Sequence, residues 1–311
     1  MRVGLGLLNA GETSRYSSLA HVAQHAEALG YDSLWVTERD PFPLASHSRA
    51  GAFTGELHLS RKPIDSTLDA LAIAAINTDR IRLGVSLPNI PFYSPTEVGE
   101  SLAALDVLSD GRVQVGLGLG WTPADFVRVS LALADRQTPA SEFVRAMRAV
   151  WDGLSVGFTS EYYSMPAARG VITPVQRPSL PVMLTAFAPA AVQPPAMLLR
   201  GGSPLMAAMS SEEMAESLRV VTGRSRELGL VVRAVVRLTD GPIGESRAMF
   251  TGSAGQLRDD FALIEALGAD EVQFDLSRMP FELDNSRLFD VVAQLREMVT
   301  QVADVPAAVA A

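Results

Sequence analysis

Cysteine is absent from the 311-residue sequence, and lysine occurs only once, as Lys62. Without cysteine, the chain can contain no disulfide, no thiolate nucleophile and no cysteine-based metal site. A Schiff-base mechanism requires a lysine at a strand end, whereas Lys62 lies beside Pro63 in a segment without a strand pattern. The net charge of −9 and the lack of a basic stripe also disfavour a nucleic-acid partner.

Long apolar runs are missing as well. Residues 3–8, VGLGLL, form an apolar run that is too short for the hydrophobic region of an export signal. No stretch is long and apolar enough to span a bilayer, so we expect a cytoplasmic protein with no membrane partner. Residues 3–8 instead indicate a buried first strand.

The usual catalytic residue sets are largely missing. Two of the four histidines, His21 and His25, have a helical spacing that could hold a metal, but no carboxylate accompanies them, so we expect no metal site. His47 lies in a long predicted loop and could transfer protons. Three carboxylates near predicted strand ends keep a hydrolase open as a distant alternative, namely Glu38, Asp240 and Asp275.

Two segments indicate the architecture. Residues 28–36, ALGYDSLWV, and residues 266–274, ALGADEVQF, each join the end of a helical pattern to an apolar strand. The glycine in each segment tolerates the left-handed conformation that ends many helices, and such short loops are typical of parallel α/β folds. The same alternation predicts eight strands, at residues 2–8, 33–37, 81–87, 112–119, 180–185, 203–207, 231–238 and 271–276.

Helical patterns separate these strands, at residues 17–29, 66–76, 96–108, 141–151, 211–228, 254–267 and 285–302. Alternation to a count near eight favours a closed (β/α)8 TIM barrel over an open sheet. We therefore expect an α/β protein in which residues 1–304 form a single barrel domain and residues 305–311 a flexible C-terminal tail. Residues 38–65 and 154–179 form long connections. The first lies at the C-terminal face, where long insertions usually shape a substrate pocket, or else form a structural cap.

Small residues follow two of the predicted strands. Residues 116–121, GLGLGW, end the fourth strand, where missing Cβ atoms let a flat ring or a phosphate approach, although tight barrel packing accounts for the run equally well. Trp121 stands where a dinucleotide-binding fingerprint requires its third glycine. Residues 185–191, TAFAPAA, offer free backbone N–H groups for an anion, or simply a tight turn. Because polar catalytic groups are few, we expect a cofactor to carry the chemistry.

Four segments stand in a specific order along the chain: residues 78–86 (TDRIRLGVS), 90–95 (IPFYSP), 104–112 (ALDVLSDGR) and 116–121. In order and spacing they resemble the luciferase-like monooxygenase superfamily, and within it the actinobacterial subgroup predicted to use coenzyme F420. Residues 186–191 and 250–253 (FTGS) are similar to that subgroup too. The resemblance implies an oxidoreductase with a barrel fold whose cofactor, F420 or FMN, lies across the C-terminal mouth.

The site residues that the resemblance implies are assigned from their positions in these motifs. The cofactor ring would lie near the ends of the first, third and fourth strands, at Leu7, Ser86 and Gly118. The phosphate side would fall on the loops that follow, with further contacts after the fifth helix, at Gly120, Trp121, Ala186, Phe187, Ala188, Arg200 and Gly201. The candidates for handling the substrate or protons are Glu38, Arg39 and His47.

The sequence departs from the family's pattern at three places. Glu38 is followed by Arg39, where the superfamily often has a histidine. Residues 199–204 are LRGGSP, where the subgroup commonly shows ADGWNP. Pro194 and Pro195 interrupt the expected fifth helix, because proline removes a donor and clashes with the preceding turn. These departures leave open a barrel that has lost its cofactor.

Three hypotheses follow from the residues and the resemblance. The first is an oxidoreductase that transfers a hydride between coenzyme F420 and a small organic substrate. The second is an FMN-dependent monooxygenase, which consumes oxygen and needs a flavin reductase as a partner. The third is a cofactor-free barrel that acts as a binding or accessory protein. A homodimer is compatible with all three, since dimers are the commonest soluble oligomers.

Overall fold

The computed structural model describes residues 1–7, 16–37, 67–87, 90, 93–118, 137–155, 157–169, 171–185, 211–212, 214–215, 219, 230–244, 247–276 and 285–303. The strands among them are β1 Arg2–Gly6, β2 Ser33–Thr37, β3 Arg82–Leu87, β4 Val113–Gly118, β5 Phe158–Thr159, β6 Ser164–Met165, β7 Val182–Thr185, β8 Val231–Val235, β9 Arg237–Leu238, β10 Thr251–Gly252 and β11 Glu271–Asp275. The helices are α1 Tyr16–Ala28, α2 Thr67–Ile76, α3 Pro95–Leu108, α4 Gln137–Trp151, α5 Ala254–Ala266 and α6 Asn285–Ala303.

Seven parallel strands form the main sheet, in the order β7-β4-β3-β2-β1-β11-β8. They coincide with seven of the eight strands predicted from the sequence. Strands β1, β2, β3, β4 and β7 follow one another both along the chain and across the sheet. The prediction of an α/β fold is therefore confirmed. The remaining predicted strand, residues 203–207, lies outside the described residues.

The two faces of this sheet have opposite chemistry, because successive strand residues point to opposite sides. The outward face is apolar, and it joins the six helices in one continuous core that includes Leu5, Leu34, Val85 and Phe274. The inward face consists of the positions in register with Trp35. It carries glycine and polar residues, and Trp35 packs there in a separate small cluster with Met183 and Val231.

Glycines on two strands make room for Trp35, which is fully buried. A Cβ atom at Gly84 would lie 2.3 Å from Cδ2 of the indole, and one at Gly4 would lie 2.5 Å from Ser33 Oγ and 3.1 Å from Trp35 Cδ1. A Cβ at Gly116 would lie 3.6 Å from Trp35 Cζ3, which is an ordinary contact distance. The indole therefore explains Gly84 and Gly4, and both interpretations of the glycine run stay open at Gly116.

A buried carboxylate joins four strands at the amino-terminal end of the inward face. Glu271 accepts hydrogen bonds from Ser33 Oγ at 2.5 Å, Trp35 Nε1 at 3.0 Å and Arg82 Nη2 at 3.0 Å. Arg2 Nε lies 3.7 Å from the same carboxylate. Since Glu271 has no exposed side-chain surface, these partners provide the compensation that a buried charge requires.

One of the four motif segments, residues 104–112, fixes loops at the amino ends of the strands. The Arg112 guanidinium donates to Ala75 O at 2.8 Å, Ile81 O at 3.0 Å and Thr78 Oγ1 at 2.9 Å. The Asp106 carboxylate accepts from the backbone N–H groups of Val175 and Gln176 at 2.8 and 3.0 Å. The described contacts of this motif are therefore structural, at the end of the sheet opposite the carboxyl ends of the strands.

Three boundaries differ from the prediction. The predicted strand 231–238 divides, because the backbone N–H of Val236 still donates to Asp275 O whereas that of Arg237 turns to Phe250 O; β9 therefore pairs with β10. Helix α4 begins at Gln137, four residues before its predicted start. The connection 154–179 contains the hairpin β5–β6, whose two-residue strands are too short to show a sequence period. No described helix is long and apolar enough to cross a membrane.

Candidate functional site

The carboxyl ends of the parallel strands are where ligands bind in α/β folds of this kind. On the inward face, the last positions of β1, β3 and β4 are Gly6, Ser86 and Gly118. Below them Trp35 fills the middle of the same face. A ligand at this end therefore rests on small residues, with the indole as the floor beneath.

Two of the predicted cofactor contacts lie side by side at this end. Ser86 is opposite Gly116 in the register of β3 and β4, one inward position before Gly118. Ser86 is buried, with 3% of its surface exposed. The third predicted ring contact, Leu7, packs its side chain into the outward core, and its backbone N–H donates to Trp35 O at 2.7 Å. Any contact of Leu7 with a ring on the inward face would have to be made by its backbone.

The other predicted site residues lie outside the described residues. They are Glu38, Arg39 and His47 in the connection after β2, and Gly120, Trp121, Ala186, Phe187, Ala188, Arg200 and Gly201 on the proposed phosphate side. Pro194 and Pro195 fall there too. In the part of the chain that the structure describes, no group of His, Asp and Glu side chains is arranged to hold a metal ion.

An ion pair that sequence analysis missed lies on the inward face of the last two strands. Arg233 of β8 donates from Nε to Asp275 Oδ2 at 2.9 Å and also from Nη2 to the same oxygen. The side chains keep 19% and 10% of their surface exposed. Asp275 was noted near a strand end, but nothing in the sequence indicated its partner. The signal that could have found Arg233 is its place between apolar residues in VVRAV.

Two buried amides on the inward face have atoms without partners. In the described structure Gln273 Oε1 and Gln114 Nε2 are both buried without a hydrogen bond. Gln273 stands opposite Arg233 in the sheet register, and its Nε2 lies 3.8 Å from where a Cβ of Gly6 would be. Its amide therefore reaches toward the carboxyl end of β1. A buried polar atom without a partner is uncommon in folded proteins and indicates a missing water or ligand.

These residues fit a flat, polar cofactor ring. Gly6, Ser86 and Gly118 present no side chain larger than a hydroxymethyl group along the ends of three strands, so a planar ring can lie against them. Among the described residues of this end, only Arg233 and Asp275 carry charge on the inward face. The described site thus offers binding and orientation and little acid–base chemistry of its own, which is the arrangement expected where a cofactor supplies the reaction.

The family of this chain follows from a match to a family model. Residues 1–241 match the family model described as luciferase-like monooxygenase. The chain belongs to this family. The expectation of an enzyme of the luciferase-like group, drawn from the segments at residues 78–121, is thereby confirmed at the level of the family.

A curated relative is an uncharacterised protein of Mycobacterium tuberculosis, 32% identical over 170 residues, which cover 54% of this chain and 60% of the relative. The match thus spans about 60% of the length of that relative. The identity supports common ancestry, and the relative's description assigns it no activity.

Solved structures share the fold over nearly the whole chain. Monooxygenase RslO1 from Streptomyces bottropensis superposes with a TM-score of 0.74 at 16% identity, covering 97% of this chain and 99% of that one. The coenzyme F420 dependent tetrahydromethanopterin reductase from Methanopyrus kandleri gives 0.72 at 14% identity, with 96% and 98% covered. The oxygenating constituent of 3,6-diketocamphane monooxygenase from Pseudomonas putida, in complex with FMN, gives 0.68 at 15% identity, with 97% and 98% covered. At these identities the likeness concerns the fold.

Proposed function

We propose that this chain is an oxidoreductase that transfers a hydride between coenzyme F420 and a small organic substrate. The observation that carries the proposal is the carboxyl end of the inward face, where Gly6, Ser86 and Gly118 form a surface for a flat ring. Family membership over residues 1–241 supports a flavin-type cofactor. The hydride chemistry belongs to the bound cofactor, while the chain holds it, orients the substrate and excludes water.

The proposal includes the closed barrel. Residues 203–207 would supply the strand that joins β7 to β8, so that residues 1–304 form one (β/α)8 domain followed by a flexible tail at 305–311. Ser86, Gly118 and the backbone at Leu7 would hold the ring. The phosphate side would bind the loops that carry Gly120, Trp121, Ala186, Phe187, Ala188, Arg200 and Gly201. Glu38, Arg39 and His47 would handle the substrate and its protons.

A second candidate is an FMN-dependent monooxygenase. It is favoured by the structural likeness to one monooxygenase described with FMN and to another from Streptomyces. This enzyme would consume oxygen and depend on a flavin reductase. The two candidates share the ring surface and differ in the cofactor that is bound and in the use of oxygen.

Fluorescence titration of the purified protein with F420 and, separately, with FMN tests both candidates. We expect saturable tight binding of F420 and, under anaerobic conditions, turnover of a reducible substrate. Tight binding of FMN alone, with substrate-dependent oxygen consumption, would move the assignment to the monooxygenase. Binding of neither would contradict both and favour the cofactor-free barrel.

A substitution at Ser86 tests whether the cofactor binds on the proposed ring surface. Ser86→Leu places a larger side chain where the ring is proposed to lie, so we expect the Kd of the cofactor to rise roughly tenfold, as overpacking costs on the order of 1–3 kcal/mol. Ser164→Leu, at the exposed position of β6, is the matched control and should leave the Kd unchanged. Circular dichroism verifies that both variants fold. Equal Kd values for S86L and the wild type would remove Ser86 from the site.

The cytoplasmic location and the homodimer also remain proposals. Size-exclusion chromatography with light scattering measures the oligomeric state directly, and a mass of one chain, 33.2 kDa, would contradict the dimer.

A further inference from the structure

We propose that Arg233, held by Asp275 and flanked by Gln273, binds a carboxylate group of the substrate. This inference rests on the proposed function and names the substrate class: small organic acids. It also gives a role to an ion pair that neither the motifs nor the family resemblance singled out.

The hydrogen bonds of Arg233 leave donors available. A guanidinium carries five N–H groups in a planar fork that suits carboxylates. The described bonds of Arg233 use Nε and Nη2, both to Asp275 Oδ2, and none uses Nη1. The side chain keeps 19% of its surface exposed, so it is not sealed from solvent. Asp275 fixes the direction of the fork, and three N–H groups stay without a described bond, two on Nη1 and one on Nη2.

Gln273 supplies a second, independent sign of a ligand. Only 1% of Gln273 is exposed, and its buried Oε1 has no hydrogen-bond partner in the described structure. It is the register partner of Arg233, and its amide extends toward Gly6 at the end of β1. An amide offers a donor and an acceptor at one end and can turn to present either. Turned by 180°, the amide would place Nε2 at the position of the unpartnered Oε1, where its N–H could donate to a carboxylate bound beside Arg233 Nη1.

The charges at the carboxyl end of the inward face are balanced. Arg233 is matched there by Asp275, whereas the positive excess of Arg2 and Arg82 over Glu271 lies at the amino end. A carboxylate at Arg233 would therefore be held by directed hydrogen bonds from the unused guanidinium N–H groups.

The pair stands on other strands than the residues proposed to hold the cofactor. Those residues belong to β1, β3 and β4 and to the loops after β4 and β7. Arg233 and Asp275 belong to β8 and β11; β11 adjoins β1, and in the proposed barrel the strand at residues 203–207 separates β8 from β7. A ring over β3 and β4 would leave the surface at β11 and β8 for the molecule that exchanges the hydride.

Calorimetric titration of the full-length protein with benzoate and with benzamide tests the inference, because the two probes share a shape and differ in charge. We expect benzoate to bind roughly tenfold more tightly than benzamide, as befits a hydrogen bond between charged groups. Arg233→Met should abolish the preference. Arg258→Met removes an exposed arginine that bonds Gln301 on the outer helices, and this control should keep the preference.

Asp275→Asn separates a binding role from a structural one. Removing the neutralising charge beside Arg233 should strengthen benzoate binding, by roughly threefold to tenfold, and leave benzamide unchanged. If Arg233 and Asp275 served only to hold the strands together, D275N would weaken both probes or neither. Wild-type protein without a preference for benzoate, or folded R233M that keeps it, would overturn the inference.

The titrations with F420 and FMN keep the two proposals apart. A benzoate preference in a protein that binds neither cofactor would contradict the proposed oxidoreductase and leave the carboxylate site standing. Tight cofactor binding without a benzoate preference would contradict only the carboxylate site.

Discussion

At the scale of the residue, one large side chain sets the composition of its neighbours. Trp35 lies on the inward face of β2, and a Cβ atom at Gly84 on β3 or at Gly4 on β1 would lie 2.3 or 3.1 Å from its indole. Close packing leaves no room for both an indole and a Cβ so near to it. Gly84 and Gly4 are therefore explained by the indole that they accommodate, and the proposed ligand surface lies beyond them.

Gly84→Ala tests this packing. The new methyl group would lie 2.3 Å from Trp35 Cδ2 and Cε3, and because the ring is enclosed, neither group can move aside. We expect a loss of about 1–3 kcal/mol in the free energy of unfolding, measured by urea denaturation.

Two further variants make the result specific. Gly241→Ala is the matched control, since a Cβ there meets nothing within 4 Å, and its free energy of unfolding should stay within about 0.5 kcal/mol of the wild type. In a Trp35→Leu background, Gly84→Ala should cost at least about 1 kcal/mol less than in the wild type. Equal costs in both backgrounds would separate Gly84 from the indole.

At the scale of the element, one acidic side chain fixes the start of a strand. Glu27, near the end of α1, accepts from the backbone N–H groups of Arg80 at 2.7 Å, Ile81 at 2.8 Å and Asp79 at 3.1 Å. Burial alone would raise the pKa of Glu27, but these three donors and the charge of Arg80 outweigh it, so the pKa lies below its ordinary value of 4.5. The motif residues 79–81 thus bind helix α1 to strand β3.

Glu27→Gln tests this contact through its pH dependence. A carboxylate whose pKa is lowered by folding stabilises the protein fully above the unfolded pKa and loses that contribution as the pH falls through the folded value. We expect E27Q to lose about 1 kcal/mol at pH 7, because the site is partly exposed to solvent. The difference from the wild type should shrink as the pH falls from about 5 through the lowered pKa of Glu27.

The control for this experiment is Glu297→Gln. Glu297 is exposed on α6 and accepts only from Gln301 Nε2 among the described contacts, so its removal should cost well under 1 kcal/mol. A stability difference between E27Q and the wild type that does not change with pH would contradict the role of the charge.

Another element boundary could be predicted from local chemistry. Ser253 and Gln256 form a capping box at the start of α5, with reciprocal side-chain and backbone hydrogen bonds. The glycine before it, Gly252, has φ of 144° and would place a Cβ 2.4 Å from Gln256 Oε1. Residues 250–253, FTGS, therefore encode a helix start that depends on neighbours only a few positions away. The helix predicted at 254–267 is observed at Ala254–Ala266, so its predicted start coincides with this local signal.

At the scale of the whole molecule, the structural contacts and the proposed ligand surface lie at opposite ends of the sheet. Glu271, Arg82 and Arg112 fix the amino ends of the strands. Small residues and the Arg233–Asp275 pair occupy the carboxyl ends. In parallel α/β folds, contacts at the amino ends serve stability and those at the carboxyl ends serve ligands.

A ligand that binds this assembled end should stabilise the whole chain. At a free cofactor concentration of 100 times its Kd, the folded state gains about 2.7 kcal/mol. For a chain of this size we expect a rise in Tm of roughly 5 °C, measured by differential scanning calorimetry with F420 or FMN.

The variant S86L at the same cofactor concentration should show a much smaller rise than the wild type, whereas S164L should match it. An unchanged wild-type Tm with both cofactors would favour the cofactor-free barrel.

Sequence alone determined the order of strands and helices, the α/β class and the family, because these depend on local periodicity, capping residues and motif spacing. Tertiary structure decided which side chains meet. Ser33 binds Glu271 across 238 residues, and Arg233 binds Asp275 across 42. Such contacts depend on which strands pair and in what register, and a local pattern carries neither. The place of Arg233 in an apolar strand is a local signal, but its pairing with Asp275 depends on β8 lying beside β11.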